Sequence, residues 1–365
     1  MIHDYVIIGG GVAGLSAAIH LAELGAKPLL IEAGNYPAHK ICGEFLSPEV
    51  LPILKRWNIN PSVMLDTVTF HTNYKNSPES SLEFSFKLPK CAGSMSRYNF
   101  DAHLAQYAQT LGVIILTNTS VTDIYKSNTY HVMLSSGQEI IAQTIIIGTG
   151  RVLELLQELD NKKSKPKYFG LKMHLQNNVI NLENTVNFYS FSGAYLGISS
   201  VGNNTINLAC LATIETVKKF ATPDLFMRHL AEKSHDKILQ ELIVHSTQLF
   251  PEWMTCYAPE FGIKNTPDMP NVYLIGDAAG TIPPASGDGL GIAITSGELL
   301  ARYATAHDAK GFKKAWVARY KNIIGMGKLL HIIMMRPWLA KIVIRVCSIV
   351  PGIAKKLFLK TRTGF

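Results

Sequence analysis

Six residues near the N-terminus carry the first chemical signal. Gly9-Gly10-Gly11-Val12-Ala13-Gly14 follows the apolar run Tyr5-Val6-Ile7-Ile8 and precedes a helical stretch closed by Gly25. In a strand, turn and helix of this kind Gly9 permits the turn, Gly11 lets backbone approach a pyrophosphate, and Gly14 lets helix and strand pack closely. The helix N-terminus at Val12 and Ala13 then offers free N–H groups and the positive end of its dipole to phosphate. A second buried strand, Leu29-Leu30-Ile31, runs into Glu32 and Ala33, and Glu32 stands 21 positions after Gly11, where a carboxylate meets a ribose diol. The spacing points to dinucleotide binding. The plain alternative is a glycine-rich turn in an ordinary α/β domain.

Far along the chain, Asn271-Val272-Tyr273-Leu274-Ile275 reads as a strand that enters the turn Gly276-Asp277-Ala278-Ala279-Gly280. Pro283, Pro284, Gly287, Gly289 and Gly291 follow and lead into a helix. With Lys40-Ile41-Cys42-Gly43-Glu44-Phe45 and Arg97-Tyr98-Asn99-Phe100-Asp101, these segments resemble the FAD-dependent geranylgeranyl reductase-like family. That family shares its fold with p-hydroxybenzoate hydroxylase-type monooxygenases and flavin-dependent halogenases, and the matches run from residue 4 to about residue 305.

The resemblance implies that Gly276 and Asp277 hold the ribityl and pyrophosphate part of FAD, with Arg97 near the cofactor at a helix start. It further implies that Gly287-Asp288-Gly289-Leu290-Gly291 brings backbone to the isoalloxazine edge. A helix beginning near Gly289 would favour the negative charge of reduced flavin by about 0.3–1 kcal/mol. The plain alternatives are a surface salt bridge for Arg97, a turn former for Asp277 and a helix cap for Asp288.

Three residues are candidates for proton transfer. Cys42 sits in the segment that lies against the flavin in the resembling family, where a thiol could gate substrate or give a proton; otherwise it is a packed small hydrophobe. Glu44, expected to be exposed, is a weaker proton donor, and Tyr195 is the third. Lys172 and His174 occupy alternate positions of a strand, so they either meet substrate or form the wet face of a sheet.

These residues require an α/β fold: a Rossmann-type FAD-binding domain (1–65, 96–160 and 265–308) with an interleaved, mostly antiparallel substrate domain (66–95 and 161–264) and a C-terminal helical segment (309–365). Strands are expected at 66–73, 168–175, 185–190, 194–200 and 205–211, and a helix from Phe100 to Leu111. The cleft between the two units is the expected ligand site. Gly148-Thr149-Gly150 lacks a third glycine, so NAD(P)H or another reductant would visit without a Rossmann unit of its own. That turn also lacks the Asp-Gly dipeptide of the aromatic hydroxylases, and none of the four tryptophans forms the Trp-x-Trp pair of the halogenases. Gly193-Ala194-Tyr195-Leu196-Gly197-Ile198 keeps the tyrosine of the reductases' substrate strand without their following aromatic-Phe-Pro run.

Composition sets the remaining bounds. Among 365 residues 47% are hydrophobic and 17% charged, which describes a folded chain rather than a disordered one. From Lys310 to Phe365 there are 13 Lys and Arg and no Asp or Glu, leaving 22 cations against 27 acids before it. That asymmetry excludes a chain-wide nucleic-acid surface. The five cysteines stand apart without metal-ligand spacing, and the N-terminus enters a strand without a basic leader, so a reducing, cytoplasmic setting and no metal are expected. In the basic tail no apolar run reaches the roughly 20 residues needed to cross a bilayer. It would lie peripherally on the anionic inner face of a membrane or pack over the substrate cleft. The favoured reaction is reduction of a carbon–carbon double bond in a prenyl or polyketide lipid-like substrate. The alternatives are hydroxylation of an aromatic or alkyl quinone and a non-catalytic flavin- or lipid-binding protein.

Overall fold

The computed structural model describes every residue except 74, 76, 151–165, 178–179, 181, 183, 259, 265–268 and 364–365. The expected domain boundaries at 160–161 and 264–265 fall at or within the segments outside these. The chain opens as β1 (Ile2–Ile8), α1 (Val12–Glu23) and β2 (Leu29–Ile31), then passes through β3 (Phe45–Leu46), α2 (Leu51–Arg56), β4 (Val63–Asn73) and β5 (Ser81–Ser94). It continues as α3 (Arg97–Thr110), β6 (Ile114–Leu116), β7 (Val121–Lys126), β8 (Tyr130–Leu134) and β9 (Glu139–Ile147). Next come β10 (Tyr168–Gln176), β11 (Thr185–Phe191), β12 (Ala194–Gly202), β13 (Thr205–Thr213), α4 (Ile214–Val217), α5 (Pro223–Ser234) and α6 (Lys237–His245). Short strands β14 (Thr247–Gln248), β15 (Met254–Ala258) and β16 (Gly262–Ile263) lead to β17 (Val272–Leu274) and β18 (Gly280–Thr281). Four helices close the chain: α7 (Gly289–Ala304), α8 (Ala309–Met334), α9 (Pro337–Ile349) and α10 (Gly352–Leu359).

Two large sheets divide these strands. The first runs β6-β2-β1-β9-β8-β7 with β17 also on β9; its parallel strands β1, β2, β6, β9 and β17 carry the β-branched apolar runs that a sheet covered on both faces needs. The second runs β14-β10-β13-β12-β11-β4-β5-β3, with β15 on β10, and is antiparallel except for the β4–β11 pair. One of its faces packs on α5 and α6 through Leu171, Met173, Leu196, Leu208, Phe226 and Leu239. The expected strands and helix are thus all present.

The opposite face of the second sheet is not wet. Lys172 and His174 are 0% and 3% exposed, because residues 39–44 cover that side and Phe250 packs on the His174 ring. Their alternation with apolar neighbours is real, but it separates two buried faces.

Close backbone packing fixes how the first unit is assembled. A Cβ on Gly9 would stand 2.7 Å from the Gly148 carbonyl carbon, so the turn after β9 packs directly beneath the turn after β1. Along the helices, a Cβ on Gly297 of α7 would stand 2.7 Å from the Ala17 backbone nitrogen of α1, and Ser16 Oγ donates to the Ile294 carbonyl at 2.8 Å. Gly297→Val is therefore expected to cost about 1–3 kcal/mol by overpacking, read as a lower urea midpoint. Gly325→Ala, in a helix position with open space around it, should instead gain about 0.5–1 kcal/mol. Equal midpoints for the two variants would contradict this packing.

Candidate functional site

The turn after β1 and the turn after β17 meet. Gly276 adopts φ +55°, and a Cβ there would come within 2.7 Å of Ala13 Cβ at the start of α1. Gly11, Val12, Ala13, Asp277, Gly287, Gly289 and Leu290 line one groove with Cys42, Glu44, Arg97 and Tyr195. Gly9, Gly14, Gly276 and Gly291 are not among its lining residues; they pack against Gly148, Gly9, Ala13 and Asp288 respectively. Glu32 and Ala33 stand at the end of β2, outside the groove wall; Glu32 accepts from Gly10 N–H at 2.6 Å and Gly34 N–H at 3.0 Å. A carboxylate has about four acceptor positions, so Glu32 retains capacity for a diol.

The groove suits an extended dinucleotide. Nothing stands within 4 Å of a Cβ placed on Gly11, and neither α1 nor α7 has a side chain capping its N-terminus or an acid in its first turn. Two uncapped helix N-termini thus border one groove, each with orphan N–H groups and positive dipole. Bound there, FAD would supply the redox chemistry, while Gly11–Ala13 and Asp277–Leu290 would hold its two halves.

Arg97 is not on the surface. It begins α3 after the cap Ser96 and forms a bidentate pair with the buried Asp101, Nε to Oδ1 and Nη2 to Oδ2 both at 2.6 Å. Burial opposes its charge, and Asp101 more than offsets this, so the guanidinium stays charged on the groove wall beside Cys42. Cys42 Sγ accepts from Glu44 N–H at 3.3 Å. Tyr195 is buried, with its hydroxyl accepting from Ala285 N–H at 3.1 Å in the turn that precedes Gly287.

Glu44 is fully buried rather than exposed, in a left-handed backbone conformation of φ +57°. Oε1 accepts from Arg97 N–H at 2.7 Å and from Lys172 Nζ, and Oε2 pairs with His174 Nε2 at 2.7 Å. Burial pushes its carboxyl up, but the His174 hydrogen bond and the Lys172 charge outweigh that and hold it below the usual glutamate range. A carboxylate held down by three donors is a poor proton donor. It ties the first loop, α3 and β10 together. His39 packs edge-on to His174 at 5.1 Å, and burial followed by the charges of His174 and Lys172 lowers it to about 4, so it is neutral at neutral pH.

Asp288 does not cap α7. Its carboxylate is buried and turned to Arg362, Oδ1 to Nη1 at 3.3 Å. This contact was invisible in the sequence, since Arg362 stands three residues from the chain end. A second, apolar pocket lies beneath α8, α9 and α10, lined by Phe70, Phe84, Phe86, Leu330, Val343 and Phe358 among others. It shares Phe45, Phe188 and Gly287 with the groove, so the two cavities adjoin at the Gly287 turn. Among the described residues there is no His, Cys, Asp and Glu group able to hold a metal ion.

Glu44→Gln leaves Lys172 as an uncompensated buried cation and should cost about 3–5 kcal/mol at pH 7. Because the folded carboxyl titrates below its unfolded value, the wild-type contribution is complete above the ordinary glutamate range and vanishes as pH falls through the lowered folded value. The gap in urea midpoint between the two proteins should therefore be widest near neutral pH and shrink in acid. A gap independent of pH would contradict the assignment.

Comparison with known proteins agrees with this geometry. Residues 4–42 match the family described as FAD dependent oxidoreductase. The chain is 22% identical to a menaquinone reductase of Mycolicibacterium smegmatis over 339 residues, covering 86% of this chain and 79% of that protein. It is 24% identical to a digeranylgeranylglycerophospholipid reductase of Methanococcus vannielii, covering 88% and 81%. The fold is that of the flavin-dependent brominase Bmp2, with TM-score 0.80 at 16% identity, covering 99% and 93%. From its N-terminal match and its similarity to these reductases along most of its length, the chain is an FAD-dependent oxidoreductase, similar to reductases that act on menaquinone and on digeranylgeranylglycerophospholipid.

Proposed function

We propose that the chain reduces a carbon–carbon double bond in a prenyl-bearing, membrane-resident substrate. The observation that carries this reading is the apolar, aromatic-lined pocket that joins the flavin groove at Phe45, Phe188 and Gly287. FAD held in the groove would supply the hydride, with NAD(P)H or another visiting donor as its reductant. The chain's own residues do the rest. The phenyl rings of Phe70, Phe86 and Phe188, stacked at 5.5 Å and 6.5 Å, exclude water from the alkene and hold it by contact. Tyr195 and Cys42, both on the groove wall, are the groups placed to give a proton. Glu44 positions Cys42 through its backbone N–H, and Ala285 N–H holds the Tyr195 hydroxyl. The names of the two reductases, one acting on menaquinone and one on a digeranylgeranyl phospholipid, support a substrate of this class.

The substrate's source follows from α9. Ala340, Ile344 and Cys347 face inward, whereas Trp338, Ile342, Val346 and Ile349, spaced along the opposite face, are 58%, 51%, 42% and 81% exposed. Arg336, Arg345, Lys355 and Lys356 are all exposed in the same segment, which has no acid. An exposed apolar stripe in a basic segment fits an anionic lipid surface. Among the described residues no helix is long and apolar enough to cross a membrane.

Two outcomes are expected. Anaerobic turnover of the reduced holoprotein with a prenylated naphthoquinone should yield a product that is still heavier by two hydrogens after its ring has been reoxidised to the quinone in air; return to the starting mass would show ring reduction only, and a product formed with oxygen and heavier by one oxygen would replace this reading with hydroxylation. Ile342→Asp with Val346→Asp should abolish co-sedimentation with phosphatidylglycerol-containing vesicles and leave flavin content unchanged. Undiminished sedimentation would remove the membrane contact.

A further inference from the structure

The groove has a floor made by one face of the second sheet. Leu171, Leu196, Ile198 and Leu208 pack on α5 and α6, so their alternate neighbours on β10, β12 and β13 face the groove. Those neighbours pair in rows: Leu211 beside Tyr195, Ala209 beside Gly197, and Asn207 beside Ser199. Phe188 of β11 stands opposite Gly197 and lines both the groove and the apolar pocket. The middle row therefore offers the groove only a hydrogen and a methyl group. Between Tyr195 and Ser199 the floor stays low over about 13 Å of strand.

A low floor by itself selects no ligand, and Ser199 supplies a second, independent feature. It is 3% exposed and lines the groove, and its hydroxyl makes no hydrogen bond among the described residues. That hydroxyl also keeps accessible surface, unlike the sealed carboxylate oxygens of Asp288. Strand alternation places it on the side of Tyr195 and Gly197, which is the groove side. The other polar side chains of these rows and of β10 are engaged: Tyr195 accepts from Ala285 N–H, Asn207 Nδ2 donates to the Cys42 carbonyl at 3.2 Å, and Lys172 and His174 hold Glu44. A hydroxyl so deeply enclosed gains when an oxygen on the floor pairs with it.

Charge and shape select the head of that ligand. Among the described lining residues the one cation is Arg97, and its bidentate pair with Asp101 neutralises it. No surplus side-chain charge is left at the floor for a phosphate or diphosphate. A flat ring lies well on a floor without side chains, and a neutral ring oxygen needs only the Ser199 hydroxyl. From that place a tail passes Phe188 into the apolar pocket, since Phe188 belongs to both cavities.

We infer that the floor at Gly197 and Ala209 receives a planar, uncharged head ring, and that Ser199 is a specificity-determining residue that donates a hydrogen bond to an oxygen of that ring; this rests on the reading above that the adjoining apolar pocket takes the prenyl tail. The inference separates a ring-headed prenyl substrate from a charged prenyl lipid.

The test uses the full-length holoprotein and perturbation of the oxidised flavin absorbance on titration with four probes: a short-tailed prenylated naphthoquinone, the naphthalene with the same tail, the acyclic hydrocarbon of that tail, and its diphosphate. The wild type should bind the quinone at least about tenfold tighter than the naphthalene, as a site built to hydrogen-bond an oxygen rejects the analogue lacking it. Ser199→Ala should erase that margin while naphthalene binding stays. Gly197→Leu, which raises the floor, should weaken both ring probes by at least about tenfold and leave the acyclic hydrocarbon unaffected. Equal wild-type affinities for quinone and naphthalene, an undiminished margin in Ser199→Ala, full ring affinity in Gly197→Leu, or a preference for the diphosphate would each overturn the inference while leaving the pocket's role intact. If Gly197→Leu does not fold, the wild-type comparison and Ser199→Ala decide. A wild type that binds none of the four probes would overturn the pocket reading itself, and the inference with it.

Discussion

The site depends on how closely α1 and α7 approach each other. Gly297 brings α7 against the backbone of Ser16 and Ala17, and Gly276 brings the turn after β17 against Ala13. With a side chain at either place the helices would separate, and their uncapped N-termini would no longer border one groove. Gly9, Gly14 and Gly148 extend the same backbone-on-backbone packing to the turns below. Glycine here serves proximity: the helix dipoles converge only because nothing larger than hydrogen lies between the elements.

A second constraint joins this unit to the nine-stranded sheet. Glu44 is a buried anion with donors from α3 and β10, and its carbonyl accepts from Ser94 Oγ at 3.1 Å on β5. Four segments thus register on one residue. Charges buried this deeply persist only when they are paired and hydrogen-bonded, and the Glu44 carboxylate has three donors. The consequence for chemistry is that Cys42 and Arg97, two residues and one hydrogen bond away, are held on the groove wall by a carboxylate already engaged by three donors.

Much of this was legible in the sequence, and the divisions are physical. The turn at Gly9–Gly14, the Gly276-Asp277 turn and the strands of the second sheet follow from local rules of turn geometry and side-chain alternation, which act within a few residues. Lys172, His174 and Glu44 were misjudged because alternation tells which residues share a face but not what covers it. Residues 39–44, more than a hundred positions earlier, cover that face. Arg362 was hidden for the same reason: a cation near a chain end reads as solvated until three helices fold it inward beside Asp288. The tail posed a choice between packing on the body and lying on a membrane. Its helices have separate faces, and Ala340, Ile344 and Cys347 pack inward while Trp338, Ile342 and Val346 remain outside.

The central claim is that a cofactor gripped by two helix N-termini meets an apolar substrate at the Gly287 turn. A crystal structure of the holoprotein soaked with a prenylated quinone tests it most directly. The account predicts one FAD with its phosphates against Gly11–Ala13, its ring at Gly287–Leu290, and the prenyl tail among Phe70, Phe86 and Phe358. A flavin ring remote from Gly287, or a tail lying elsewhere while the apolar pocket stays empty, would contradict it.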